Sequence, residues 1–157
     1  MLTLRTSANG RKFIETWEES NKPLLTARWD PIGKCWEIGY GHTTSAGLPR
    51  VYEGMTINDT EADNILSSDL ASVEADIQHH VKATINQNEM DAIVSFDFNT
   101  GGLDRSSLLR DLNAGHMDRI KYDFSMWVMG DGKVVEGLVK RRSAEYVLFE
   151  TGKIVQP

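Results

Sequence analysis

Cysteine is nearly absent. Cys35 stands alone in 157 residues, so no internal disulfide can form. A metal site would need histidine and carboxylate ligands instead. The four histidines, His42, His79, His80 and His116, fall at no familiar ligand spacing, so no metal and no other cofactor is expected. Long apolar runs are also missing. None approaches the ~20 residues that cross a bilayer, so no membrane span is expected. The opening residues Met1 to Ser7 contain neither an apolar core nor a small-residue cleavage site, which reads as a chain made in a cytoplasm without a secretory signal. Positive charge is in deficit: 17 Lys and Arg against 23 Asp and Glu leave a net charge of -6. That argues against a nucleic-acid partner, which needs a basic face for phosphates. It equally denies any bulk attraction to an anionic polymer, so such a ligand must be held by local shape and hydrogen bonds.

There is no repeat, low-complexity tract or linker, and the length suits one domain, residues 1–157, acting as a monomer. Ser7 or Asn9 can cap a first helix carrying Phe13, Ile14 and Trp17 on one face. Pro23 stops it. Residues 24–55 read as a small β lobe: Asp30-Pro31-Ile32-Gly33 is a turn, and Trp36 to Tyr40 is rich in strand formers. Residues 56–157 read as a helical lobe, to which the N-terminal helix belongs. Asn58 with Glu61 starts a long helix whose apolar stripe runs from Ala62 to Val81. Asn86 with Glu89 starts another, apolar over most of its girth, which is expected at the centre of the core and ends at Gly101-Gly102. Shorter helices follow around Leu108 and Phe124, and a last one runs from about Gly137 to Gly152. The fold class is therefore α+β.

Three acids, Glu18, Asp30 and Glu37, flank the turn and strand that lead into Gly39-Tyr40-Gly41-His42. Glycosidic hydrolysis needs one carboxyl group kept protonated for the leaving oxygen and another kept ionised opposite it. Environment sets those roles, because burial raises a carboxyl pKa and hydrogen bonds lower it. Glu18, at the end of an apolar helix face, suits a partly buried acid. Asp30, in a polar turn, suits an ionised partner. Spacing alone fits equally well with solvated charges and a turn former. Arg141 and Arg142 on the last helix are either exposed or, if they face the core, in need of an acid partner. Trp17 and Trp127 fall on apolar stripes, whereas Trp29 and Trp36 in the β segment are more open to a binding role.

Four collinear stretches resemble the phage-type lysozymes and endolysins of glycoside hydrolase family 24. They are Asp30 to Gly33 with Ile38 to Thr43, Gly54 to Ile57, Asp91 to Gly101, and Gly137 to Glu145 running on to Phe149-Glu150-Thr151-Gly152. The resemblance implies a lysozyme-like fold, a small β lobe and a larger helical lobe with the cleft between them. It implies hydrolysis of the β-1,4 bond between N-acetylmuramic acid and N-acetylglucosamine in bacterial peptidoglycan, after release from the host cytoplasm. The family's Glu, Asp and Thr fall on Glu18, Asp30 and Glu37. Its late-helix Arg, which supports the catalytic Glu, falls on Arg141. Four departures stand out: eleven residues separate Glu18 from Asp30, more than is usual; Glu19 replaces a Gly; one extra residue lies between Asp30 and the third position; and Glu37 replaces the Thr. On that alignment Glu19 is a surface charge. The altered third position leaves one rival from another class, a non-catalytic peptidoglycan-binding protein that keeps the fold.

Overall fold

The computed structural model describes residues 2–157. Helix α1, Ala8–Glu19, starts where the Ser7 hydroxyl accepts from the Gly10 N–H and ends where Ser20 turns left-handed, at φ 51°. Three strands follow, β1 Leu24–Asp30, β2 Cys35–Gly39 and β3 His42–Thr43, in one antiparallel sheet of order β1-β2-β3. The backbone of 55–57 extends it, with Ala27 N–H donating to Met55 O and Ile57 N–H to Leu25 O, both at 2.9 Å. Ile38, Val51 and Met55 form a small separate core under this sheet.

The helical lobe comprises α2 Asp59–His80, α3 Gln87–Thr100, α4 Ser107–Ala114, α5 Ile120–Ser125 and α6 Glu136–Thr151, with a β4–β5 hairpin, Met129–Gly130 and Lys133–Val134, before α6. Asn58 caps α2, and Asn86 with Glu89 closes a full capping box on α3, as the spacing implies. Residues Met90 to Asp97 of α3 are all buried, and the helix packs against α1, α2 and α6. A helix apolar over most of its girth has nowhere stable to lie except inside. Phe96 anchors its far end, edge-on to Phe124 and Trp127 with ring centres 5.7 and 5.4 Å apart. Among the described residues, no helix is long and apolar enough to cross a membrane.

Candidate active site

Two glutamates end α1, and its last turn has no basic residue. The negative pole of a helix is an unfavourable place for carboxylates. Each has its guanidinium delivered from elsewhere. Arg141 on α6 donates from Nη1 to Glu18 Oε1 at 2.6 Å, its own side chain 5% exposed and that of Glu18 16%. Arg141 is in turn seated on Glu145, whose Oε1 accepts from Arg141 Nε at 3.3 Å, Arg142 Nη2 at 2.8 Å and Ser95 Oγ at 2.8 Å. Arg142 Nε lies 2.7 Å from Glu145 Oε2 as an ion pair without hydrogen-bond alignment. Burial pulls the Arg141 guanidinium down most strongly. The Glu18 and Glu145 carboxylates outweigh it, so the net shift is upward. Arg142 shifts downward, with burial outweighing Glu145. Both arginines are therefore core residues with acid partners, not exposed ones.

The second oxygen of Glu18 faces the β2–β3 turn. Gly41 there has φ +74°, and a Cβ on it would stand 2.6 Å from Glu18 Oε2. A side chain at 41 would occupy the space of the carboxylate, so the glycine is required twice, by conformation and by room.

Strand alternation sorts the β lobe. In the β1–β2 ladder Arg28 faces Glu37, Trp29 faces Trp36, and Asp30 faces Cys35. Neighbouring residues point to opposite faces. Arg28, Asp30, Cys35 and Glu37 thus share one face. Trp29 and Trp36 share the other, edge-on at 5.6 Å, with Trp36 packed on the small core. The two tryptophans expected to be open to binding lie on the sheet face opposite the acids. Arg28 donates from Nε and Nη2 to Glu37 Oε1 at 2.9 and 2.5 Å, and from Nη2 to Glu19 Oε1 at 2.9 Å. Glu19 is thus no free surface charge: its side chain is 14% exposed. Its carboxyl is pushed up by burial first and by the charges of Glu37 and Glu18, with Arg28 opposing. Asp30 holds its own turn, accepting from the Ile32 and Gly33 N–H at 2.9 and 3.0 Å.

Two open cavities meet at the end of α3. One, of about 630 Å³, runs between Gly41 and Thr43 of the sheet and Asp69, Asp76, Asp97, Asn99 and Thr100 of α2 and α3. The other, of about 480 Å³, includes Asp30, Ile32, Asn99, Thr100, Trp127 and Arg142. Asn99 and Thr100 line both. Arg142 Nη2 donates to Asn99 Oδ1 at 2.8 Å and orients that side chain at the junction. Gly101 is the αL cap of α3, so the same few residues end the helix and line the groove. The larger arm is acidic. Burial, with Asp76 adding to it and the Leu103 N–H opposing, lifts Asp97 to about 6. His42, beneath this arm, offers Nδ1 to Asp69 at 2.7 Å and Nε2 to Pro49 O at 2.8 Å. Among the described residues no group of acids, histidines and cysteine could hold a metal ion.

Of Asn99 to Gly102 the sequence allows either a groove lining or a helix cap, and the stretch serves as both; sequence reasoning missed Glu145 and the Glu19–Arg28–Glu37 set. A signal existed for Glu145, at i+4 and i+3 from Arg141 and Arg142. None existed for Arg28, whose partners depend on strand register.

Comparison with known proteins supplies the family. Residues 19–145 match the family described as phage lysozyme. The chain is 36% identical to the endolysin of Salmonella phage P22 over 149 residues, 93% of this chain and 98% of that one. It is 36% identical to the endolysin of Bacillus phage PZA over 151 residues, 95% of this chain and 56% of that one. The chain spans about half the length of the Bacillus phage endolysins it matches. Among solved structures, the muramidase domain of SpmX from Asticaccaulis excentricus superposes with a TM-score of 0.81 at 30% identity, over 95% of this chain and 99% of that one. Sequence and fold agree: with its small antiparallel sheet, its helical lobe and the groove between them, this chain belongs to the phage lysozyme family.

Proposed function

We propose that this chain is a muramidase that hydrolyses the β-1,4 bond between N-acetylmuramic acid and N-acetylglucosamine of bacterial peptidoglycan. It acts as a monomer on the wall, after release from the cytoplasm that makes it. The observation that carries the reading is Glu18. Its Oε1 is fixed by a buried arginine and its Oε2 is turned toward Gly41, which lines the larger cavity. A general acid needs that division, one oxygen anchored and the other free to carry the proton.

Glu18, protonated at Oε2, donates to the glycosidic oxygen as the bond to the anomeric carbon lengthens. Positive charge develops on the sugar ring and its anomeric carbon. Asp30 and Glu37, on the facing side of the sheet, supply negative charge to that centre and orient the attacking water. Water adds to the anomeric carbon, its proton leaves to a carboxylate, and a muramic acid reducing end is released. Arg141 is the support of Glu18, holding the carboxylate in one orientation through the cycle.

The test is digestion of purified peptidoglycan with reducing-end analysis. The wild-type chain is expected to yield muramic acid reducing ends, and Glu18→Gln to fall by at least about a hundredfold. Binding without any new reducing end would point instead to a non-catalytic wall-binding protein. Full activity in Glu18→Gln would remove the assignment of the acid.

A further inference from the structure

Glu37, which the resemblance places where the family pattern has a Thr, does not stand alone. Glu37 lies directly across the β1–β2 ladder from Arg28. The guanidinium reaches Glu37 Oε1 through two nitrogens and Glu19 Oε1 through one. Among the described residues it makes the only ion pair joining α1 to the sheet. α1 ends in Glu18, and the sheet carries Asp30 and Glu37. Arg28 therefore ties together the two elements whose spacing sets the site.

We propose that Arg28 is a positioning residue for the hydrolytic reaction: one guanidinium, fixed by strand register, holds Glu37 and Glu19 together and sets Glu37 opposite Glu18. The inference rests on the reading of Glu37 as a working carboxylate. Glu18 and Glu19 at the end of α1 come close to Glu37 on the sheet, and two arginines divide the three. Arg141 takes Glu18 from the helical side. Arg28 takes the other two from the sheet side. Without Arg28, Glu37 and Glu19 face each other with no cation between them. Like charges then drive the strand and the helix end apart, and a misplacement near 1 Å is enough to cost a large part of the rate. The guanidinium suits this task because its planar fork reaches two carboxylates at once, where an ammonium acts as a point charge. Glu19, which replaces a glycine in the family pattern, becomes the second anchor of the clamp.

The test measures kcat and KM on soluble peptidoglycan fragments, with thermal unfolding, for Arg28→Gln, Arg28→Lys, Glu37→Gln and the Arg28→Gln/Glu37→Gln double variant. Arg28→Gln is expected to lower kcat about tenfold or more, with KM within about twofold. Arg28→Lys should recover part of that loss. In the Glu37→Gln background, Arg28→Gln should cost less than about twofold more, because the group being positioned is gone. Equal losses in both backgrounds, or a change in KM alone, overturn the proposal. Where Glu37→Gln leaves no measurable rate, the ratio of Arg28→Lys to Arg28→Gln decides: about fivefold or more supports it, and unity overturns it. Glu18→Gln in the same assay separates the two levels. If Glu18→Gln stays active, the reading of the site fails. If it is dead while Arg28→Gln is unimpaired, the Arg28 inference alone fails.

Discussion

Asp97 is a buried carboxylate with more against it than for it. Burial and Asp76 raise it to about 6, and a single N–H, from Leu103, opposes them. The usual value is 3.8, so between the two the folded chain binds a proton that the unfolded chain has lost. The stabilisation is complete below the unfolded value and is lost as pH rises through about 6. Asp97→Asn keeps an acceptor for the Leu103 N–H and removes the charge. The variant is expected to melt a few degrees above wild type at pH 8 and level with it at about pH 3, below the unfolded value. Thermal unfolding at the two values checks this; an equal shift at both would mean the charge is not the cause. Residue-scale chemistry was only half legible in the sequence. Glu18 and Asp30 were singled out because helix ends and turns are local features. Asp97 gave no sign, because its partner Asp76 comes from another helix. Glu19 was misjudged because its environment is made by Arg28, a residue on a strand.

At the scale of elements, helix ends were readable because caps are written within four residues. Ser7, Asn58, Asn86 and Ser106 each accept from an N–H three residues on. The sheet was readable in extent but not in register, and register sorts the acids from the tryptophans. The β2–β3 turn shows how an element can serve a site by what it omits. Gly41→Ala places a methyl against Glu18 Oε2 at a left-handed φ. Gly115, the cap of α4, has φ +77° and open space where a Cβ would go. Both alanine variants carry the left-handed cost, about 1–2 kcal/mol. Only Gly41→Ala is expected to lose activity, by about tenfold or more, because Glu18 must move. Urea denaturation with parallel rate measurements separates the two effects. If Gly115→Ala loses as much activity as Gly41→Ala, the effect is general destabilisation and the close approach to Glu18 is not the reason.

Over the whole molecule, the two lobes have unequal claims to stability. The helical lobe has the large core around α3, while the sheet rests on Ile38, Val51 and Met55 and on its seams to α1 and α2. The groove lies along that seam, which is bridged by the polar contact of Arg28 with Glu19 and by Tyr40 and Ile57, both packed into the large core. Net charge acts at the same scale. At -6, with Asp69, Asp76, Asp97 and Asp104 lining one arm, the proposed function would have the chain approach an anionic wall against a repulsive field. The screening length falls from about 30 Å at 0.01 M salt to about 10 Å at 0.1 M. In the proposed function, raising salt over that range is expected to speed lysis of intact walls by lowering KM. On short soluble fragments, which carry few charges, the rate should barely change, because kcat depends on contacts within the groove that salt does not reach. Turbidity loss and fragment cleavage measured side by side test this. A rate on intact walls that falls as salt rises from 0.01 M would mean that local basic groups such as Arg105, on the rim of the acidic arm, dominate the encounter despite the net charge.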